Sequence, residues 1–369
     1  MAGIKRVDFS NIDATGVSAG QQAVYIAANS RFEFVAADYV AVSGGGGGAP
    51  SAPIVIQGQT STTYGGGQLA AGSPNQGLIM EKLPFSSDTP TTDIGEISAP
   101  IFATGTMSSE TDGYYGGGPT YNSNAYDWKF YKKSFASSSG SASLETTEFT
   151  NSLHGYSWGL NADPANGFWF GRGGTNSGKF TYSSDSFASE GWVSAEPNIQ
   201  LWAATASSST HGYNFAGSPG VSPYSPNYGA IRKFTFATSG SYTWIGDLST
   251  GRYTGGGIQS DTHGYGYGGM NRVPGNWNSV GTIEKFPFSS DVGGALTGNL
   301  LVPYGAYTNV GHSGSTTHGY SAGGSGSPVD GSTPTYHGKI DKFPFSSDSN
   351  STDVGDLIAV ARSTSATSV

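Results

Sequence analysis

Four histidines stand in one repeated setting: His154, His211, His263 and His318 each open the triplet His-Gly-Tyr. Histidines at equivalent places of a repeat can converge on one axis and hold a metal ion. The corresponding places earlier in the chain carry Thr63 and Asp112. The set therefore reads as framework residues that hydrogen-bond their own strands, with no metal and no cofactor. Four aspartates recur in the same way, closing the phrase Ser-Ser-Asp at Asp88, Asp185, Asp291 and Asp348. Such a set could form a ring of carboxylates. Each Asp, however, follows a strand-like run and precedes small polar residues, which predicts a turn in which Asp caps its own backbone.

These residues belong to six copies of one pattern, clearest at Asp341-Lys342-Phe343-Pro344-Phe345-Ser346-Ser347-Asp348. The first element ends in a glycine cluster, as in Thr63-Tyr64-Gly65, Asp112-Gly113-Tyr114, His154-Gly155-Tyr156 and the three later His-Gly-Tyr triplets. The second centres on Lys82, Lys129, Lys179, Lys233, Lys285 and Lys342, with rings alternating with small polar residues, the period of a strand. The third reads Asp93-Ile94-Gly95-Glu96-Ile97, Trp244-Ile245-Gly246-Asp247-Leu248 and Asp353-Val354-Gly355-Asp356-Leu357. A looser fourth fills the gap before the next triplet. Four short strands recurring about every fifty residues predict a β-propeller with one sheet per blade, each blade burying its faces against its neighbours. Six copies predict six blades over residues 61–369.

Composition agrees. Charged residues are only 12% of the chain, Gly reaches 58 residues, and aromatics are 13%. Rings at that density must be buried, which excludes a disordered chain and leaves many short strands joined by tight turns. A net charge of −9 with no basic run excludes nucleic acid as a partner, because phosphate neutralisation needs clustered cations. With no cysteine there is no disulfide framework and no thiolate chemistry. No apolar run is long enough to span a bilayer, and the start lacks a signal-peptide pattern, so an extracellular location is expected through assembly into a particle released by lysis.

Residues 1–42 lie outside the repeat. Val24-Tyr25-Ile26, a turn at Asn29-Ser30, and Arg31-Phe32-Glu33-Phe34-Val35 predict a hairpin. Residues 43–60 open with Ser43-Gly44-Gly45-Gly46-Gly47-Gly48-Ala49-Pro50, a linker of little stiffness. A small arm on a flexible tie predicts an anchor, with Tyr25, Phe32, Phe34 and Tyr39 as attachment residues for other virion proteins.

That last expectation draws on a resemblance. The order of glycine doublet, charged-aromatic strand, Trp-containing strand and Arg-led strand resembles kelch repeats; Trp192 and Trp244 stand at the kelch tryptophan, while Asp93 and Asp353 replace it elsewhere. The phrases around His318 to Gly324 and Asp341 to Arg362 are also similar to repeats of virion structural proteins of marine tailed phages, cyanophages especially. The expected fold is thus all-β: a six-bladed kelch-like β-propeller with a short N-terminal β-type arm. The resemblance implies a capsid decoration, knob or fibre component at the virion surface, without membrane insertion and with several copies per particle. The alternatives are a tail-associated receptor-binding protein and a sialidase-like glycosidase.

Enzyme motifs are incomplete. Gly311-His312-Ser313-Gly314-Ser315 lacks the final glycine of a nucleophile elbow. Ser351-Thr352-Asp353-Val354-Gly355 resembles the start of a sialidase aspartate box without its closing Thr-Trp, and Arg172, Arg232, Arg252, Arg272 and Arg362 are dispersed over the repeats. The expectation is no enzymatic activity. What varies between repeats is the segment from glycine cluster to Lys-Phe strand. Residues 161–176 hold Phe168, Trp169 and Phe170; residues 218–230 hold Tyr224 and Tyr228; residues 270–282 hold Trp277; residues 325–338 hold Tyr336 and His337. Rings set among Gly, Asn, Pro and Ser suit sugar recognition or protein docking, so Phe168, Trp169, Tyr224, Tyr228, Trp277 and Tyr336 form the expected binding face, with a cell-surface glycan as one candidate partner; the alternative is that these rings cover exposed blade edges. Two further expectations concern the repeat phase. The Ser-rich run 136–143 predicts a shortened outer strand in the second blade, and residues 363–369 are expected to close the ring beside 61–67.

Overall fold

The computed structural model describes residues 21–26, 31–36, 61–65, 68–69, 79–97, 105–109, 111–116, 130–136, 143–145, 158–163, 165–170, 177–189, 203–217, 229–237, 242–252, 255–273, 276–304, 311–326, 335–358, 361–362 and 365–368. The chain divides into two units, Met1–Ala49 and Pro50–Val369, a boundary inside the expected linker. In the first unit Gln21–Ile26 and Arg31–Ala36 pair as the expected antiparallel hairpin, with Tyr25 opposite Phe32 and Ala23 opposite Phe34.

The second unit has a β-propeller arrangement, and its described residues contain no helix. Five four-stranded blades are found rather than six. Numbered along the chain, sheet 1 runs Ser365–Ser368, Ser61–Gly65, Ile79–Pro84, Thr92–Glu96, and sheet 2 runs Gly105–Ser108, Asp112–Gly116, Phe130–Ser134, Ser143–Glu145. Sheet 3 is Trp158–Asp163, Asn166–Phe170, Ser177–Thr181, Ser186–Ser189, and sheet 4 is Ala204–Ser207, His211–Phe215, Ala230–Thr235, Thr243–Asp247. Sheet 6 is Gly311–Gly314, His318–Ala322, Lys339–Pro344, Thr352–Asp356. The fifth repeat departs from this plan and makes a five-stranded sheet 5. Its long strand Asn276–Pro287 pairs with His263–Tyr267, with Met270–Val273 and with Ala295–Tyr304, while Gly256–Gln259 borders His263–Tyr267.

A glycine facing a ring fixes the register of the middle strands. Gly212 lies opposite Phe234, Gly264 opposite Phe286, and Gly319 opposite Phe343. Each ring lies over its glycine so closely that a Cβ there would come within 2.1–2.3 Å of the Phe Cζ. Glycine thus gives the ring a floor, and the ring covers the glycine backbone. Small residues build the innermost strands for a similar reason. A Cβ on Gly257 would meet the Thr205 carbonyl at 2.3 Å, so strands of Gly, Ala, Ser and Thr let neighbouring sheets converge. These strands touch in the order Gly105–Ser108, Trp158–Asp163, Ala204–Ser207, Gly256–Gln259, Gly311–Gly314, Ser365–Ser368 and back to the first.

The core lies between sheets. Tyr213, Phe215, Ile231, Ile245 and Leu248 of sheet 4 pack with Phe286 of sheet 5. Tyr320, Ile340, Val354 and Leu357 of sheet 6 pack with Leu83 of sheet 1. The expected closure is present: Thr62 pairs with Ser368 and Gly65 with Ser365. The expected short outer strand of the second sheet is Ser143–Glu145, three residues long against five in Thr92–Glu96.

Three phase assignments are corrected. In the third repeat the strand equivalent to His-Gly-Tyr is Asn166–Phe170, with Gly167 opposite Phe180 and Phe168 opposite Lys179. His154 lies outside the described residues, and Phe168-Trp169-Phe170 is strand, not loop. In the second repeat Lys132, opposite Tyr114, holds the place expected for Lys129. In the first repeat Ser61, opposite Pro84, holds the histidine place expected for Thr63.

Candidate functional site

The repeated polar residues meet at the junctions between sheets. Lys132 bonds Asp185 at 2.7 Å, Lys233 bonds Asp291 at 2.5 Å, Lys285 bonds Asp348 at 2.6 Å, and Lys342 bonds Asp88 at 3.0 Å. In each pair the lysine belongs to one sheet and the aspartate to the turn of the next. The Ser-Ser-Asp carboxylates are therefore staples between sheets and not the caps of their own turns that the sequence predicted. Hydroxyls beside the Asp stabilise these turns instead, through Ser87 with Thr89, Ser184 with Ser186 and Ser347 with Ser349.

Next to three of these lysines stands a histidine, and next to Lys132 stands Asp112. His211, His263 and His318 place Nδ1 at 2.8 Å from the hydroxyl of the preceding threonine, Thr210, Thr262 and Thr317. Burial lowers the pKa of all three, the facing lysine lowers it further, and the stapling aspartate opposes the shift. A serine three positions earlier organises each turn: Ser208, Ser260 and Ser315 accept from the histidine N–H at 3.0–3.2 Å. Sequence reasoning missed this Ser-x-Thr-His unit. It was legible, since the spacing recurs as Ser109-Glu110-Thr111-Asp112 and is absent before His154. Among the described residues no three His, Asp or Glu side chains form a group able to hold a metal ion.

Rings complete the junctions. Tyr114 stacks on Tyr182, Phe168 on Phe236, Tyr213 on Phe288, Tyr265 on Phe345, and Tyr320 on Phe85, with centroids 4.8–5.4 Å apart. Burial pushes the Tyr213 and Tyr320 hydroxyls up to about 12. Phe168 is thus a core residue, 3% exposed, and the expectation that it belongs to a binding face is overturned: it occupies the tyrosine place of its repeat.

The other expected binding residues are not gathered by what is described. Trp169 lies on the same strand, opposite Gly159 and Gly178. Trp277 stands opposite Arg272 in the hairpin that enlarges sheet 5, and Tyr336 opposite Ser325 in a separate two-stranded ribbon. Tyr224, Tyr228, Tyr39 and Trp192 lie outside the described residues. Of the arginines, Arg252 is fully buried, ion-paired to Glu284, and donates to the Gly268 and Thr282 carbonyls at 3.2 and 2.8 Å. That places Arg252 inside a sheet junction and not in an anion-binding cluster.

One ring is placed unlike all of these. Trp244 is 62% exposed on the outer strand Thr243–Asp247. Its Nε1–H donates to Asp247 at 3.4 Å. No protein family matches the chain. No curated protein resembles it at a significant level.

Proposed function

We propose that this protein is a non-enzymatic structural component of a virion surface, a capsid decoration, knob or fibre part that displays a β-propeller. One observation carries the reading: the residues able to do chemistry are spent on holding sheets together. The recurrent Lys, Asp and Tyr side chains bond and stack across junctions, and the histidines bond the threonines of their own turns, as expected of a scaffold. A distinct Met1–Ala49 unit joined through a glycine run supports attachment through the arm, with Tyr25, Phe32 and Phe34 on its hairpin. The cycle of innermost strands supports counting the five-stranded sheet as a sixth blade.

The test is localisation. Particles purified after lysis should carry the full chain at their surface by immunogold labelling. A chain starting at Ala52, shown by its melting curve to be folded, should be absent from them. A particle fraction free of the protein, or equal incorporation of the shortened chain, overturns the proposal.

A further inference from the structure

The outer strands of three sheets share one plan. Thr92–Glu96, Thr243–Asp247 and Thr352–Asp356 have the same sequence of exposed and buried positions, with Ile94, Ile245 and Val354 as the inward residue. The second position is exposed in all three. Two sheets fill it with aspartate: Asp93 and Asp353 accept from the N–H of Gly95 and Gly355 at 2.8 and 3.1 Å. The fourth sheet fills it with Trp244. The fold thus answers this position twice with a short carboxylate, which in sheet 6 also pairs Lys339, and needs no ring there. An indole left open to water forgoes the burial that normally fixes its place, and the other two sheets show that the strand packs without it.

The surroundings indicate what it meets. The bond to Asp247 links the indole edge to its own strand. Beside it the backbone of Val292 and Gly293 closes on Gly246, whose φ of +150° and lack of side chain allow that approach. Val292 is 47% exposed, and Thr243, Asp247 and Asp291 are exposed polar neighbours. The apolar area is one ring and one small side chain, far below the roughly 800 Å² per partner of a stable protein interface. Its scale is that of a single sugar ring, which offers an apolar C–H face for stacking and hydroxyls that donate to carboxylates. Arg232 stands opposite Trp244, and Lys233 bonds Asp291, so the two carboxylates are matched by two cations and the border has no net charge to recruit sulfated or uronic sugars.

We propose that Trp244, with Asp247 and Thr243, forms a stacking site on the outer rim for a neutral pyranose of a polysaccharide. The site stands apart from the segments after the glycine clusters and does not depend on the virion reading.

Affinity electrophoresis and indole fluorescence of the full chain test it, with laminarin, hydroxyethyl cellulose and galactomannan as neutral probes and carrageenan as the anionic one. At least one neutral glucan or mannan should retard the protein and shift its emission, while carrageenan should not. Trp244→Asp, the residue the other two sheets use, should keep the melting temperature and lose retardation at least tenfold; Trp244→Phe should retain part of it. Failure of every neutral probe overturns the proposal. So does retardation unchanged in Trp244→Asp, a large fall in its melting temperature, or self-association in sedimentation that requires Trp244.

Discussion

The arc of sheets 4, 5 and 6 and the arc of sheets 1, 2 and 3 solve the same packing problem with different consistency. From sheet 4 round to sheet 1 every junction has a stacked pair of rings and a Lys–Asp staple, and beside each staple a histidine bonds the threonine of its own turn. A backbone bond also ties each outer strand to the next sheet, from Gly294 to Asp247, Ser351 to Asn299 and Thr91 to Asp356. Between sheets 1 and 2 the tyrosine place is Thr63 and no Ser-Ser-Asp follows Phe135. There Lys133 replaces the phenylalanine of the Lys-Phe strand, opposite Gly113, and its buried ammonium donates to the Ile94 carbonyl at 3.1 Å. Burial lowers its pKa. Between sheets 3 and 4 the rings remain, Phe168 on Phe236, but Ser239 stands where other turns have aspartate. Repetition of a phrase therefore does not mean repetition of a junction.

The largest effect should come from breaking that closure. Deleting residues 361–369 removes the ladder beside Ser61–Gly65 and should cost more than about 4 kcal/mol, read as a much lower denaturant midpoint. An unchanged midpoint would show that the closing strand adds little. Next is Tyr265→Ala, which removes a buried ring stacked 4.9 Å from Phe345; a loss of about 3–5 kcal/mol is expected. A loss below about 1 kcal/mol would mean that the uniform arc is not held by its rings.

A smaller change should make the two arcs more alike. Ser239→Asp restores the aspartate six residues after the repeat lysine that the other copies carry, and is expected to add a pair with Lys179 like that of Lys233 with Asp291. The gain should be at most about 1 kcal/mol, because such pairs stay in contact with water. It should vanish when Lys179→Met is added, and a gain that survives has another cause. The mildest effect is that of pH. His211, His263 and His318 have folded pKa values below the ordinary 6.5. Their contribution is complete above 6.5. Below it the unfolded chain takes up protons first, and the contribution is lost as pH falls through the folded values. The melting temperature should therefore decline on acidification from about pH 6.5, with a gentler slope in His263→Gln. An equal slope would remove the histidines from the account.

Most of the framework was legible because four strand-like runs recur about every fifty residues, and the phase of that repeat placed residues 363–369 beside 61–67, where Ser365–Ser368 pairs with Ser61–Gly65. The third repeat misled because His154-Gly155-Tyr156 copies the triplet, whereas the strand that pairs is Asn166–Phe170, where Phe168 packs as tyrosine does elsewhere. The five-stranded sheet was hidden for a related reason. Asn271, Asn276 and Asn278 give residues 270–282 the composition of a loop, yet Met270–Val273 and the strand after it form a regular hairpin. The staples were missed because a turn aspartate looks the same whether it caps its own backbone or reaches another sheet. Trp244 was noticed only as a repeat landmark, since exposure is set by the sheet next door.

The pairing of Gly65 with Ser365 also orders events during synthesis. The two strands leave the ribosome about three hundred residues apart, which at roughly 5–20 residues per second separates them by about fifteen seconds to a minute. For that interval the second strand of sheet 1 waits with one edge open. Ser61-Thr62-Thr63-Tyr64-Gly65 suits the wait: it is short, hydroxyl-rich and carries a single large side chain, so it gives a passing strand little to hold. The sequence of the first sheet is in this sense a record of delay, written in residues that tolerate being unpaired until translation delivers their neighbour.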